Sequence, residues 1–157
     1  MKNYWAKTIL YVYKYLDRVC DGIDKVVERD ALSSFYHRNE NEIHCVTDRL
    51  CKLIERKAKL VNIKVLADRC LLKSEKTSAQ LLIEKYIDDS EAEVIAEKHQ
   101  LNIRTYFRRL AQAENSFSIL MLMEGFDSKR LEEYLKDERW IIEVYEKYKN
   151  EDEIEMC

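Results

Sequence analysis

The sequence predicts an all-α protein, and three observations lead there. Its 157 residues include no proline and only two glycines, Gly22 and Gly125. Proline breaks helix interiors and glycine weakens them. The apolar residues recur at spacings of three and four within a chain that is 36% charged, the pattern of helices with one buried face. The length suits one domain or two small ones. Three regions are expected: a coiled-coil-like helical hairpin over 1–74, a trihelical helix-turn-helix over 75–124, and a C-terminal helix with an acidic tail over 125–157.

The first helix is expected from about Asn3 to Arg29. Ile9, Val12, Leu16, Val19, Ile23 and Val26 alternate spacings of three and four, a heptad seam over nearly three repeats. A loop around Ser33 to Asn41 follows, polar apart from Phe35 and Tyr36. A second helix is expected from about Asn41 to Leu72. Ile43, Val46, Leu50 and Leu53 repeat the seam, Lys57 interrupts it and Leu60 resumes it. Such seams serve either an antiparallel hairpin or a second copy of the chain. The short connection favours the hairpin.

Thr77-x-x-Gln80 and Ser90-x-x-Glu93 both have the capping-box pattern, predicting two helix starts. A third helix over about Ser78 to Ile87 would bury Leu81, Leu82 and Tyr86. A fourth over about Glu91 to His99 would bury Val94 and Ile95. Asn102 suits the N-cap of a fifth, running to Glu124. Tyr106, Leu110, Ala113 and Phe117 form its inward stripe, and Arg104, Arg108 and Gln112 a stripe facing out. Gly125 fits the helix-ending position, followed by apolar Phe126. Asp127 or Ser128 would cap a single last helix over about Lys129 to Lys149, with Leu131, Leu135, Ile141, Ile142, Tyr145 and Tyr148 as apolar positions. The final NEDEIEMC reads as a frayed acidic tail.

The formal charge is −3, so the whole molecule does not advertise nucleic-acid binding. Its distribution is uneven. Lys98, His99, Arg104, Arg108 and Arg109 fall between Lys98 and Ala113 with no acid among them, whereas Glu124 to Cys157 holds twelve acids and six bases. Phosphate contacts follow local potential, so a basic helix in an acidic protein can bind DNA, and the acidic tail would limit non-specific binding. The five cysteines, Cys20, Cys45, Cys51, Cys70 and Cys157, are irregularly spaced with no CxxC pair. They read as reduced cytosolic thiols, most of them buried. His44, Cys45, Cys51 and Cys70 fit no usual zinc spacing. Alternating Tyr11, Tyr13 and Tyr15 do not share a helix face, which favours packing over a base-stacking platform. The N-terminal stretch is too interrupted by charge for a signal peptide or membrane span. No catalytic constellation, cofactor motif or metal set is expected, and a cytoplasmic, non-enzymatic protein is.

Function points to Ile95–Phe117, IAEKHQLNIRTYFRRLAQAENSF, which reads as a helix, a tight corner and a second helix carrying arginines. That layout places its second helix in the DNA major groove. Ala96 would allow close helix crossing, Leu101 would plug the corner into the core, and Asn102 would cap the recognition helix. Arg104 and Arg108, one turn apart, suit bidentate contact with guanine. Gln112 would read adenine or a backbone oxygen. Arg109 points sideways, as a phosphate clamp would, and Thr105 belongs to the same capped helix.

The stretch IAEKHQLNIRTYFRRLAQA resembles the fourth conserved region of sigma-70-class transcription factors, which reads the −35 promoter element. The resemblance rests on Ile95-Ala96, the corner at Gln100 and Leu101, Asn102, Arg104-Thr105, Arg108-Arg109-Leu110 and Ala113. LLIEKYIDD, from Leu81 to Asp89, resembles the family's approach to that motif. The small size and coiled N-terminal half look like phage RinA and ArpU type regulators of late transcription. The resemblance spans about Tyr11 to Phe117 and is specific from about Leu81. Gln100 replaces a frequent glycine and must take an unfavourable backbone angle or a looser turn. Glu91, Glu93 and Glu97 on the fourth helix would repel phosphates. No stretch resembles the polymerase-core or −10-binding regions of a full sigma factor. The resemblance implies a phage or mobile-element regulator that binds promoter DNA through Asn102, Arg104, Thr105, Arg108, Arg109 and Gln112, recruits RNA polymerase, and dimerises through its coiled half. The other expectation is a non-catalytic protein-interaction module, such as an antitoxin or anti-sigma-like adaptor.

Overall fold

A computed structural model describes residues 3–34 and 39–155. The fold is all-α, with seven α-helices and no strand among the described residues: α1 Tyr4–Ser34, α2 Glu40–Lys73, α3 Lys76–Leu82, α4 Ala92–Lys98, α5 Ile103–Met123, α6 Ser128–Tyr134 and α7 Arg139–Glu155. A π-helical turn, Ile83–Ile87, continues α3 without a break. The chain forms two compact units, one of 15–64 and one of 1–14 with 65–157, so residues 75–124 and 125–157 share a unit.

The unit of 15–64 is a pair of helical segments. Leu16, Cys20, Ile23, Val46, Leu60 and Ile63 are buried in it. Three ion pairs join the segments: Asp17 with Lys64 at 2.6 Å, Asp24 with Lys57 at 2.6 Å, and Asp30 with Arg49 at 2.9 Å. Residue numbers rise on one helix as they fall on the other, so the segments run antiparallel. Lys57, which interrupts the apolar seam, pairs with Asp24. Ile43 lies outside the packed seam and is exposed. α1 runs to Ser34, beyond the expected Arg29, while Phe35 and Tyr36 fall outside the described residues. Of the four described cysteines, Cys20 and Cys70 are buried and Cys45 and Cys51 are exposed, while Cys157 lies outside the described residues. Burial pushes the Cys70 thiol up to about 11.

In the other unit, α5 packs against α3 and α4. Leu81, Leu82, Tyr86 and Ile95 are buried as expected, and so is the whole α5 stripe of Tyr106, Leu110, Ala113 and Phe117. Val94 is not buried. It is 56% exposed, because only the neighbouring pair Ile95 and Ala96 faces the core. Neither capping box forms. Thr77 lies inside the first turn of α3, whose N-cap position is Glu75. Ser90 sits before the N-cap position of α4, Glu91, and its amide donates back to the Glu84 carbonyl of the π turn at 2.9 Å.

The expected single last helix is two helices, α6 and α7. Asp127 caps α6, accepting from the Arg130 amide at 2.7 Å. The break is legible in the helical phase. Leu131 and Leu135 share a face, but Ile141 is six residues beyond Leu135 and would point away in a continuous helix. Breaking the helix lets all three be buried. Glu138, also buried, accepts the Trp140 indole N–H at 2.9 Å. α7 continues to Glu155, so part of the expected tail is helical.

Two helix ends use the same closure with different residues. After α5, the Phe126 amide donates to the Met121 carbonyl at 3.0 Å and Gly125 takes φ +90°. After α4, the Leu101 amide donates to the Ala96 carbonyl at 2.8 Å, but the left-handed position is Gln100, at φ +57°. A side chain there carries a strain of about 1–2 kcal/mol that glycine avoids. Gln100→Gly should therefore raise the urea midpoint, by about 1 kcal/mol of stability after glycine's own entropic cost. Gly125→Ala should lower it, because its Cβ would also lie 3.1 Å from Arg130 Nη1. An unchanged or lower midpoint for Gln100→Gly contradicts the strain.

Candidate nucleic-acid interface

The candidate surface begins at the corner between α4 and α5. Ala96 is buried, which permits the close packing of the two helices, whereas Leu101 is only half-buried and plugs the corner less fully than expected. Asn102 caps α5 as the sequence suggests. Its side-chain oxygen accepts from the Thr105 amide at 2.8 Å, and its carbonyl accepts from Tyr106 at 2.9 Å. The remaining first-turn amides and the positive end of the helix dipole face a position suited to an anion.

From that start, 21 residues of α5 carry the predicted side chains outward. Arg104, Arg108 and Gln112 are exposed along one stripe, opposite the buried one. Arg109 is exposed on the flank. Thr105 is half-buried, with its amide taken by the cap. None of Arg104, Arg108, Arg109 and Gln112 makes a hydrogen bond or ion pair among the described residues. The three guanidiniums are neither covered by the final helices nor locked to carboxylates.

The rest of the expected basic patch is committed elsewhere. Lys98 Nζ donates to Glu84 Oε1 at 2.7 Å, and His99 Nε2 lies 2.8 Å from Glu84 Oε2. Glu84 is buried on the π turn. Burial pushes its carboxyl up, but the hydrogen bonds from Lys98 and His99 outweigh it and hold the group below the usual carboxylate range. The same hydrogen bond raises Lys98 above the usual lysine value. The local positive charge therefore comes from three arginines rather than from five groups. On α4, Glu93 and Glu97 are exposed and oppose it.

A second buried carboxylate, Glu114, lies on α5. The Tyr86 hydroxyl, on the same π turn, donates to Glu114 Oε1 on α5 at 2.6 Å. Burial, then the nearby carboxylate, pushes the Tyr86 phenol far up. Glu84 and Glu114 both sit among apolar residues at helical spacing, where the sequence alone gives a charged residue no partner. Further along α5, Ile119, Leu122 and Met123 are exposed, so the outward face changes from cationic to apolar.

Compared with known proteins, the chain matches no family model, and no curated protein or solved structure is significantly similar to it. No described helix is long and apolar enough to cross a membrane.

Glu84 also gives the fold an acid-sensitive element. A carboxyl whose folded pKa is depressed contributes stability above its unfolded pKa, and that contribution is lost as pH falls through the folded value. Unfolding free energy should fall below about pH 4.5, and Glu84→Gln should flatten that slope. At neutral pH the same substitution should cost about 1–3 kcal/mol, measured by urea denaturation. An unaltered slope in Glu84→Gln would show that the ties to Lys98 and His99 contribute nothing.

Proposed function

We propose that this protein is a sequence-specific DNA-binding transcription regulator that reads duplex DNA with the outward face of α5. The observation that carries the reading is the exposed stripe of Arg104, Arg108 and Gln112, whose side chains have no protein partner among the described residues. Long polar side chains one turn apart on an N-capped helix match the demands of the major groove. Arg104 and Arg108 would meet guanine edges and Gln112 an adenine or a backbone oxygen. Asn102, Thr105 and Arg109 would fix the helix on the phosphates. The sigma-region-4-like order of residues from Ile95 to Ala113 supports promoter DNA as the target, with a phage or mobile-element regulator as the setting.

RNA polymerase is the proposed second partner, and the exposed Ile119, Leu122 and Met123 beyond the arginines offer it an apolar contact. Two half-sites would require a second copy of the chain. The 15–64 seam is largely used internally, so the other face of α2 would serve, where Cys51, Ile54, Ala58 and Val61 are exposed at three-four spacing.

Arg104→Ala should weaken binding to the preferred site by about 1–3 kcal/mol while changing binding to random duplex little. Arg109→Ala should lower affinity on every sequence. Fluorescence anisotropy on a selected site and a scrambled one checks both, and equal losses on both duplexes would reject this division of roles. Affinity should also fall steeply between low and moderate salt, because neutralised phosphates release counterions.

The same apolar patch favours a second reading, in which Ile119, Leu122 and Met123 grip a protein and the corner is only scaffold. No duplex binding even at low salt, together with loss of partner binding in Met123→Asp, would support that module instead.

A further inference from the structure

The outward face of α5 is not uniformly polar. Ile103 and Phe107 are 42% and 50% exposed, and Ala111 is exposed one turn further on. Each immediately precedes a member of the Arg104, Arg108 and Gln112 stripe. Residues four apart lie about 40° from one another round a helix, so these three form a row of their own. The row runs between the polar stripe and the buried side of α5. Phe107 stands about 60° round the helix from Arg104 and about 4.5 Å further along its axis.

Leaving half of a phenylalanine in solvent forgoes much of the burial that normally draws this side chain inside. The ring is nevertheless held. It rests on the buried Tyr106 ring, with centroids 5.1 Å apart and planes 59° from parallel. An apolar surface is therefore presented beside two guanidiniums that have no protein partner among the described residues.

In the major groove the base edges answer such a surface differently. Guanine offers the O6 and N7 acceptors that suit arginine, and thymine offers a 5-methyl group, the one apolar group there. Against cytosine or adenine, an apolar ring would leave an amino group unpaired. The offset of about 4.5 Å between Arg104 and Phe107 corresponds to one or two base-pair steps of about 3.4 Å.

We infer that Ile103 and Phe107 form an apolar reader for the thymine 5-methyl group, at a base pair one or two steps from a guanine held by Arg104 or Arg108. The inference rests on the duplex-reading proposal and adds a base preference to it. Phe107 is then a specificity-determining residue, and it contributes little to binding of random duplex.

The test begins with the preferred site, selected from random duplexes with the full chain. Each thymine in that site is then replaced singly by deoxyuridine, which lacks only the 5-methyl group. Fluorescence anisotropy at one fixed salt concentration should show about fourfold weaker binding at a thymine one or two steps from a guanine, the worth of one buried methyl. Phe107→Ala should bring the ratio of thymine to deoxyuridine affinity to one at that position. A methyl effect exerted through the stiffness of the DNA would survive in the variant. Phe107 is half exposed, so the variant should fold, and should it not, the ratio in the unaltered chain decides. A selected site with no thymine near a guanine, equal binding of thymine and deoxyuridine at every position, or a preference that survives Phe107→Ala overturns the thymine reader and leaves duplex reading standing. No binding to any duplex, even at low salt, overturns both.

Discussion

The buried carboxylate of Glu84 is the constraint on which the corner depends. α3 and α4 have seven residues each, too few to be stable helices alone. Their order has to come from ties to the rest of the unit. Glu84 supplies one by holding Lys98 and His99 at the end of α4. Two residues later Tyr86 supplies another by donating to Glu114 on α5. A single π turn thus reaches both helices of the corner. The wider turn is closed by the Asp88 amide donating to the Ile83 carbonyl at 2.9 Å, a bond that spans five residues instead of four.

That arrangement also sets the electrostatics of the outer face. Lys98 and His99 are spent on holding the corner, so the cationic character of α5 rests on Arg104, Arg108 and Arg109. With acids exposed on α4 and a net charge of −3, the surface is suited to contacts at close range and not to long-range attraction. Sequence discrimination by a few well-placed guanidiniums fits such a balance better than tight non-specific binding does. The strained Gln100 fits the same picture, since the corner keeps its left-handed residue despite lacking glycine because the flanking Leu101–Ala96 bond and the Glu84 ties over-determine it.

Much of this was legible in the residues. The absence of proline, the three-four spacings, the Asn102 cap, the Gly125 stop and the split of α5 into a buried and an exposed stripe all follow from local rules that act within one or two turns. The errors arose where an interaction crosses from one element to another. Ser90 has the chemistry of a cap, but its amide is claimed by the π turn before it. Lys98 and His99 look like part of a basic patch until Glu84, fourteen and fifteen residues earlier, claims them both. The break before α7 shows in the phase from Leu135 to Ile141 and not in the count of apolar residues. Cys45 and Cys51 are exposed, a position that cysteine's apolar character does not reveal. The exposed position of Arg104 and Arg108 was readable; their lack of partners was not, because a partner can come from any part of the chain.

The claim that the outward face of α5 meets duplex DNA is tested most directly by mapping backbone amide chemical shifts as a short duplex is added. The account predicts perturbations concentrated between Asn102 and Gln112, strongest at the first turn of α5 and along the Arg104–Arg108 stripe. Perturbations that leave these amides unmoved and gather at other positions would contradict it.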